Sequence, residues 1–358
     1  MSRATSATIH TEALRQNLCR VRELAPKAKV VAVVKADGYG HGLERVAQAL
    51  EGADAFGVAS IADGERLRAA GLSKRIVLLS GFDEPGDLPL IRRLNLDSVV
   101  HNPEQVRMLR IDGDPRPVRV WLKFDTGMHR LGFAPADAEK VYRELRSLPQ
   151  VDPNIVMMSH FARSDEFDHQ ATAEQIALFE RGTRGLPSPR SLANSAGVLG
   201  WPTSHMDWVR PGGALYGLSV AEGRTAAEFG LQPVMTLSTR IIAINQVPQG
   251  EAIGYGGSFV ASAPMRVGIA AIGYGDGYPR HAPSGTPVMV AGKRVATVGR
   301  VSMDLLALDL TAHPEIKIGA PVELWGRNLP VEEVADAAET ISYELTCGIT
   351  RRVRFIED

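Results

Sequence analysis

The chain has 358 residues, of which 44% are hydrophobic and 23% charged, and its formal net charge is −1. This composition is typical of a globular protein and gives no basis for predicting binding to nucleic acid or to an anionic membrane. Two cysteines, Cys19 and Cys347, are too few for a disulfide framework, and no Cys/His spacing indicates a metal site. We find no apolar signal sequence and no run of membrane-spanning length, so we expect a cytoplasmic location.

Strands and helices are predicted to alternate over the first 210 residues. Helical periodicity covers 11–24 and ends before Pro26. The first strand, 30–34, consists of five small or β-branched apolar residues, which indicates burial on both faces. Seven further strands are predicted at 55–59, 76–79, 98–100, 118–122, 155–158, 191–193 and 208–209, and helices at 43–50, 63–70, 84–94, 103–109, 135–148 and 171–181. Eight strands alternating with helices predict a (β/α)8 barrel of the TIM type.

The pattern changes beyond residue 230. Strand-like segments separated by Gly, Pro and Asn turns are predicted at 234–247, 265–272, 288–290, 294–298, 305–310 and 322–325, followed by one helix at 331–339. The predicted fold class is therefore α/β, with an N-terminal barrel followed by a mainly-β domain. We assign 11–230 to the barrel, and 1–10 with 231–358 to the second domain.

Lys35 stands at the end of the first predicted strand. An ammonium at the rim of a buried strand is costly unless it is paired or neutralised. A lysine whose pKa is lowered there can form imines with carbonyl compounds. The alternative is a lysine that extends from the strand end into water.

Other polar residues also follow strand ends. The carboxyl ends of barrel strands meet at one mouth, where barrel enzymes hold their active sites. The residues at these ends are Lys35, Ser80, His101, Lys123, Asp125, His160, Asn194, Ser195 and Arg210. A ring of such residues at one mouth favours a catalytic role for Lys35.

Two glycine-containing loops indicate a phosphate site. They lie at 194–197 and 211–213, after the seventh and eighth strands. Barrel enzymes frequently bind phosphate through backbone amides of these two loops. An imine-forming lysine beside a phosphate site suggests pyridoxal phosphate as the cofactor.

Several motifs resemble alanine racemases, which are fold-type III pyridoxal-phosphate enzymes. The resemblance covers essentially the whole chain and is carried by AVVKADGYGHG at 32–42, KFDTGMHRLG at 123–132, SHFA at 159–162, VRPG at 209–212, GYG at 254–256, GYGDGY at 273–278 and SMD at 302–304. It implies interconversion of L- and D-alanine, the latter a peptidoglycan precursor, by a head-to-tail homodimer with shared active sites. It also implies that Lys35 carries the cofactor and that Tyr255 of the other subunit faces it, the two acting as catalytic bases on opposite faces of the substrate.

The same resemblance implies roles for further residues. Arg210 would meet the pyridine nitrogen, and His160 would link Tyr255 to Arg210. Lys123 would be carbamylated and would orient Arg130. The remaining cofactor-binding residues would be Tyr39, Asn194, Ser195, Gly212, Gly213 and Tyr343, and the substrate-binding residues Arg130, Met303 (from the partner), Asp304 and Tyr274. No metal is implied.

Two positions depart from the family pattern. Ser191 stands where a histidine often supports the arginine, and Gly213 where a bulkier aliphatic residue is usual, which predicts a slightly looser phosphate pocket. Simpler interpretations stay open for two residues: Arg210 could pair with Asp207 or Glu222, and Lys123 with Asp125. Alternative functions are a racemase of broader range, a decarboxylase or aldolase of the same fold type, and a pyridoxal-phosphate carrier.

Overall fold

A computed structural model of the protein describes residues 4–358. Residues 1–3 of the predicted β-domain segment 1–10 lie outside the described residues. The described chain opens with strand β1 (Ser6–Ile9) and helix α1 (Thr11–Leu24), whose bounds match the prediction. Leu14, Leu18 and Val21 of α1 are buried because they recur on one helical face.

Eight short parallel strands close into a barrel, which confirms the predicted fold class. The strands are β2 (Lys29–Val33), β3 (Ala55–Val58), β4 (Arg75–Leu78), β5 (Leu96–Val100), β6 (Arg119–Lys123), β7 (Val156–Met158), β8 (Arg190–Ser191) and β9 (Trp208–Val209), and they pair in sequence order. Register pairs Val30 with Val209, so that β9 closes on β2. Because the eight strands are parallel, their carboxyl ends all lie at one mouth of the barrel.

Helices separate most of the barrel strands. They are α2 (Lys35–Tyr39), α3 (Leu43–Ala49), α4 (Ile61–Ala69), α5 (Asp87–Arg93), α6 (Pro103–Ile111), α7 (Ala138–Ser147), α8 (Ala171–Gly182) and α9 (Ser195–Gly200). Helix α5 begins three residues later than predicted, because the Asp87 carboxylate accepts from the backbone N–H groups of Asp83 and Glu84 and holds them in a turn. Within residues 4–358, no helix combines the length and apolar character needed to cross a membrane.

The second part of the chain is mainly strands. They are β10 (Met235–Val247), β11 (Ala252–Ile253), β12 (Phe259–Val260), β13 (Met265–Ala270), β14 (Pro287–Val290), β15 (Lys293–Ala296), β16 (Leu306–Asp309), β17 (Pro321–Trp325) and β18 (Arg354–Glu357), with helices α10 (Val331–Ala337) and α11 (Ser342–Cys347) before β18. In the largest sheet the strand order is β15-β14-β17-β10-β1-β18, and β13 pairs with β10 and β16. The first strand of the chain therefore joins this sheet between β10 and β18.

The sequence analysis did not identify four of these elements. Strands β11 and β12 form a hairpin of two-residue strands, too short for an alternating pattern. Strand β18 is flanked by charged residues and is paired only along β1. Helix α11 has six residues, fewer than two turns, so helical periodicity could not reveal it.

The barrel interior is filled at the end opposite the mouth. Trp121 and Trp208 contact edge to face, with ring centroids 5.5 Å apart. Below them lies Asp97, which is fully buried. Its carboxylate accepts from Trp121 Nε1 at 2.8 Å and from Arg119 Nε at 2.5 Å, and it also accepts from Arg75. A single carboxylate thus pairs with two arginines, which begin strands β4 and β6.

We predict that Asp97→Ala lowers the free energy of unfolding by about 2 to 3 kcal/mol, because it leaves two arginines and an indole N–H without their shared acceptor. The arginines are partly exposed, which keeps the loss below that of a fully buried pair. Urea denaturation measures the change. The control Glu65→Ala, which removes an exposed pair with Arg93, should cost less than about 1 kcal/mol. Equal losses in both variants would contradict this role for Asp97.

Candidate active site

Lys35 lies at the barrel mouth, directly after β2. The surrounding protein removes water from its amine and lowers its pKa, and the positive charge of Arg130 lowers it further, whereas Cys347 opposes the shift. A lowered pKa raises the fraction of neutral amine, which is the form that attacks a carbonyl carbon.

The backbone after Lys35 turns with left-handed geometry. Ala36, Asp37 and Tyr39 have φ angles of 53°, 54° and 52°, and Gly38 lies between them at 63°. This conformation costs roughly 1–2 kcal/mol for each non-glycine residue, so neighbouring contacts must hold it in place. The turn ends with Tyr39, whose ring packs against that of Tyr216 at a centroid distance of 4.7 Å and an interplanar angle of 31°.

Arg210 follows β9 and is 4% exposed. Its Nη1 donates to Ser191 Oγ at 2.5 Å, and its Nη2 donates to the carbonyl oxygens of Ser159 at 2.6 Å and Leu192 at 3.2 Å. Within residues 4–358 it forms no ion pair with a carboxylate, so the interpretation that it pairs with Asp207 or Glu222 is wrong. Burial lowers its pKa to about 10, which still leaves it charged near neutral pH.

The serine at position 191 serves as both acceptor and donor. Its hydroxyl accepts from Arg210 and donates to the Trp208 carbonyl at 2.9 Å. With serine in place of histidine at this position, Arg210 Nη1 therefore still has a side-chain acceptor.

His160 lies beside Arg210, with its Nδ1 3.5 Å from Arg210 Nη2. Because arginine only donates, Nδ1 must accept and the imidazole proton resides on Nε2. Burial, together with the charges of Arg210, Lys123, Arg130 and Lys35, lowers the pKa of His160 well below its usual range. The ring is therefore neutral near pH 7.

Lys123 is the last residue of β6 and is buried. Burial is the main cause that lowers its pKa to about 8, followed by the charges of Arg210 and Arg130. Asp125 is not its ion-pair partner, because Asp125 Oδ1 instead accepts from the backbone N–H groups at 127–129. The interpretation of Lys123 as one half of a simple pair with Asp125 is wrong.

Ser195 ties together the two loops predicted to bind phosphate. Its Oγ accepts from the backbone N–H of Gly212 at 2.8 Å and of Ala214 at 3.2 Å. Asn194 caps helix α9, since its Oδ1 accepts from Gly197 N at 2.9 Å and from Ser164 Oγ at 3.0 Å. These contacts fix the loops against each other at the mouth.

Two tyrosine hydroxyls approach the glycine pair of these loops. A Cβ built on Gly212 would collide with the Tyr39 hydroxyl, and one on Gly213 would come within 2.6 Å of the Tyr343 hydroxyl. Helix α11 thus brings Tyr343 from the second part of the chain to the barrel mouth, where its ring lies 5.7 Å from that of Tyr39. The expectation of a looser pocket at Gly213 is wrong, because Tyr343 occupies the space that a side chain would need.

Besides Tyr343, four predicted site residues lie in the second part of the chain. Tyr255, Met303 and Tyr274 are 70%, 51% and 36% exposed. Tyr274 N donates to Ser302 O at 3.0 Å, which joins the 273–278 and 302–304 motifs, and Asp304 pairs with Arg352.

The sequence analysis missed the residues that orient the site through backbone contacts. Gln175 Nε2 donates to His160 O at 3.2 Å and to Thr126 Oγ1 at 3.1 Å. A glutamine on the buried face of α8, beside Ile176 and Phe179, was a signal that could have identified it. The carbonyl oxygens that bind Arg210 left no such signal, because every residue carries one.

Comparison with known proteins identifies the family. The model for "Alanine racemase, N-terminal domain" matches residues 9–220, and that for "Alanine racemase, C-terminal domain" matches residues 234–357. The biosynthetic alanine racemase of Escherichia coli is 50% identical over 351 residues, which cover 98% of each chain. The chain belongs to the alanine racemase family. It is accordingly an isomerase, an amino-acid racemase.

Solved structures agree with this assignment. The biosynthetic alanine racemase of Pseudomonas aeruginosa has a TM-score of 0.97 at 45% identity, with 99% of both chains covered. The alanine racemase of Acinetobacter baumannii has a TM-score of 0.93 at 37% identity, with 99% of this chain and 100% of that chain covered. That of Bartonella henselae, described with covalently bound pyridoxal phosphate, has a TM-score of 0.90 at 27% identity, with 99% of both chains covered.

We predict that Arg130→Gln raises the pKa of Lys123 above about 8, because it removes a positive charge that disfavours the ammonium form. The reactive neutral fraction at pH 8 should fall. The pH dependence of Lys123 acetylation, followed by mass spectrometry in carbon-dioxide-free buffer, measures this shift. Arg146→Gln on the outer helix α7 is the control and should leave the profile unchanged; a profile unchanged in both variants would contradict the electrostatic account.

Proposed function

We propose that the enzyme interconverts L- and D-alanine with pyridoxal phosphate, using Lys35 and Tyr255 of the partner subunit as opposed bases. The observation that carries the proposal is one barrel mouth with an amine of lowered pKa, a buried arginine and a glycine pair approached by two tyrosine hydroxyls.

The residues at the mouth fit the cofactor. The hydroxyls of Tyr39, Tyr343 and Ser195, together with the Gly213 N–H, supply neutral donors of the kind that bind phosphate. The Nε–H of Arg210 makes no hydrogen bond to residues 4–358, which leaves it for the pyridine nitrogen. Lys35 would hold the carbonyl carbon. When bound, pyridoxal phosphate withdraws electrons from Cα of the amino acid and makes the Cα–H acidic.

Racemisation needs proton transfer on both faces of Cα, because a single group on one face tends to restore the original configuration. Lys35 Nζ would remove or return the proton of D-alanine, and Tyr255 Oη would do the same for L-alanine. In the shared site the positive charges of Arg130 and Arg210 would stabilise the negative charge that Tyr255 Oη carries when it acts as a base.

Arg210 limits the electron withdrawal. Its pKa of about 10 keeps the guanidinium protonated, so it donates a hydrogen bond to the ring nitrogen without transferring the proton. An unprotonated ring is a weaker electron acceptor. This favours return of the proton to Cα over side reactions such as transamination.

The exposed surface of the second domain supports a shared active site. Tyr255, Met303 and Tyr274 lie in one region rimmed by glycine turns, and large side chains exposed together mark an interface. In a head-to-tail homodimer this surface would cover the partner's mouth. Met303 and Asp304 would then complete the substrate site with Arg130, and Tyr274 would narrow its entrance to a methyl-sized side chain.

Carbamylation of Lys123 belongs to the same proposal. Carbon dioxide reacts with a neutral amine, and a pKa of about 8 leaves about one tenth of the amine neutral at pH 7, far more than for an ordinary lysine. The product would be an anion among three cations, Lys35, Arg130 and Arg210, and would orient Arg130 toward the substrate carboxylate.

Domain division and location complete the proposal. We place the barrel at 11–230 and the domain that serves the partner at 231–358 with the N-terminal strand, because β1 pairs with β10 and β18. The free thiols of Cys19 and Cys347 fit a reducing compartment, in agreement with a cytoplasmic enzyme.

We predict that Tyr255→Phe lowers kcat/KM for racemisation by roughly 10²–10⁴-fold, because it removes one proton-transferring group. A chiral assay of D-alanine formation measures the loss. Tyr142→Phe, which removes a hydroxyl from the outer helix α7, is the matched control. Full racemase activity in Tyr255→Phe would favour a decarboxylase or aldolase of the same fold type over the proposed function.

We predict that two inactive variants, Lys35→Ala and Tyr255→Phe, regain activity when their subunits are mixed. Random exchange makes half of the dimers mixed, and each mixed dimer has one intact site, which gives about a quarter of the native activity. Activity is measured after refolding the mixture at equal concentrations. No recovery in soluble, exchanged dimers would place both groups in the site of one subunit.

A further inference from the structure

His41 is a buried titratable residue to which the proposed reaction gives no role. It lies between α2 and α3 and is fully buried. Its Nδ1 is 2.9 Å from the Tyr39 carbonyl oxygen and 3.1 Å from that of Gly38. Its ring centroid is 4.9 Å from that of Tyr216.

These partners determine which nitrogen carries the proton. Carbonyl oxygens only accept, so Nδ1 of His41 must donate to both. Burial lowers the pKa of His41 to about 4, which leaves the ring neutral near pH 7. A neutral ring has one N–H, so Nε2 is an unprotonated acceptor, and it is buried without a partner among residues 4–358.

The unpaired Nε2 argues against a side chain selected only to fill space. An aromatic hydrocarbon ring would fill the same volume without leaving a buried polar atom unsatisfied. The imidazole is therefore better explained by its Nδ1–H, the atom that makes hydrogen bonds.

The carbonyl groups that His41 binds belong to the left-handed turn after Lys35. Three non-glycine residues of that turn adopt positive φ angles, and their conformation must be held by external contacts. Backbone bonds from Gly40 N to Ala36 O at 3.0 Å and from Gly42 N to Asp37 O at 2.8 Å supply part of this support. His41 supplies the side-chain part, at the end of the turn that carries Tyr39.

The turn connects Lys35 and Tyr39, two of the residues at the barrel mouth. Lys35 begins it and Tyr39 ends it, and the Tyr39 ring packs against that of Tyr216. The Tyr216 hydroxyl donates to Val33 O at 3.0 Å, at the end of β2. His41, Tyr216 and the turn thus form one packed unit behind Lys35.

We propose that His41 is a positioning residue that donates from Nδ1 to the Gly38 and Tyr39 carbonyls and thereby holds Lys35 and the Tyr39 hydroxyl in the geometry that binds the cofactor. The link to the cofactor rests on the proposed function. The link to the turn does not.

Two substitutions of His41 separate the effect of its Nδ1–H donor from the effect of its side-chain volume. In His41→Asn the side-chain amide places an N–H near the position of Nδ1, whereas in His41→Gln it lies near the position of Nε2. Both remove part of the ring. We expect His41→Gln to bind pyridoxal phosphate about tenfold more weakly than His41→Asn, as measured by titration of cofactor-stripped protein. Affinities within twofold of each other would overturn the positioning role.

His205 supplies a control with the opposite preference. Its Nε2, not its Nδ1, contacts a carbonyl oxygen, that of Val198, at 3.0 Å. Of the two substitutions at 205, Gln should therefore retain more thermal stability than Asn. Neither should change cofactor affinity by more than about twofold.

Amide hydrogen exchange distinguishes failure of this inference from failure of the proposed function. We expect the amides of 38–42 to exchange faster in His41→Gln than in His41→Asn, with or without cofactor. If the native protein binds no pyridoxal phosphate, the proposed function fails while this comparison still decides the role of His41. Equal exchange in both variants would overturn the inference.

Native protein provides a test that does not depend on the variants folding. With ¹⁵N-labelled histidine, the ring of His41 should show a protonated Nδ1 and an unprotonated Nε2 at pH 7. A ring protonated at Nε2, or at both nitrogens, would exclude the proposed hydrogen bonds.

Discussion

Closure of eight short parallel strands is the constraint on which the site depends. Strands β8 and β9 have only two residues each. They pair with each other, and β9 pairs with β2, which closes the barrel. Closure brings the strand ends to one rim, so that Lys35, Lys123, His160 and Arg210 lie at a single mouth although 175 positions of sequence separate the first from the last. The filled opposite end, with Asp97 below two tryptophans, leaves this mouth as the open end of the barrel.

The mouth concentrates positive charge. The positive charges at the mouth act on the titrating groups around them and come from Lys35, Lys123, Arg130 and Arg210. They lower the pKa values of Lys35, Lys123 and His160. The arginines keep their protons because even a pKa of about 10 lies far above neutrality. Loss of a proton from the two lysine amines is therefore favoured and His160 is neutral, in surroundings suited to an anionic cofactor and a carboxylate substrate.

Regular patterns made much of the fold predictable. Buried parallel strands are continuous apolar runs, so the eight barrel strands and most C-terminal strands could be located within a few residues. The left-handed turn could not be predicted, because Ala36 and Asp37 have no strong preference for positive φ and are held there by residues beyond the turn. The hydrogen bonds that hold Arg210 could not be predicted from the sequence either, since two of its acceptors are backbone carbonyls. Position 213 shows the limit of substitution arguments: only the structure reveals that Tyr343 fills the space beside that glycine.

The most direct test of the account is early-time racemisation of L-alanine in deuterium oxide, with NMR of Cα and a chiral assay of the product. Two opposed bases predict that newly formed D-alanine carries solvent deuterium at Cα while the remaining L-alanine is still largely protiated. Newly formed D-alanine that retains the original proton would show that one group serves both faces and would contradict the account.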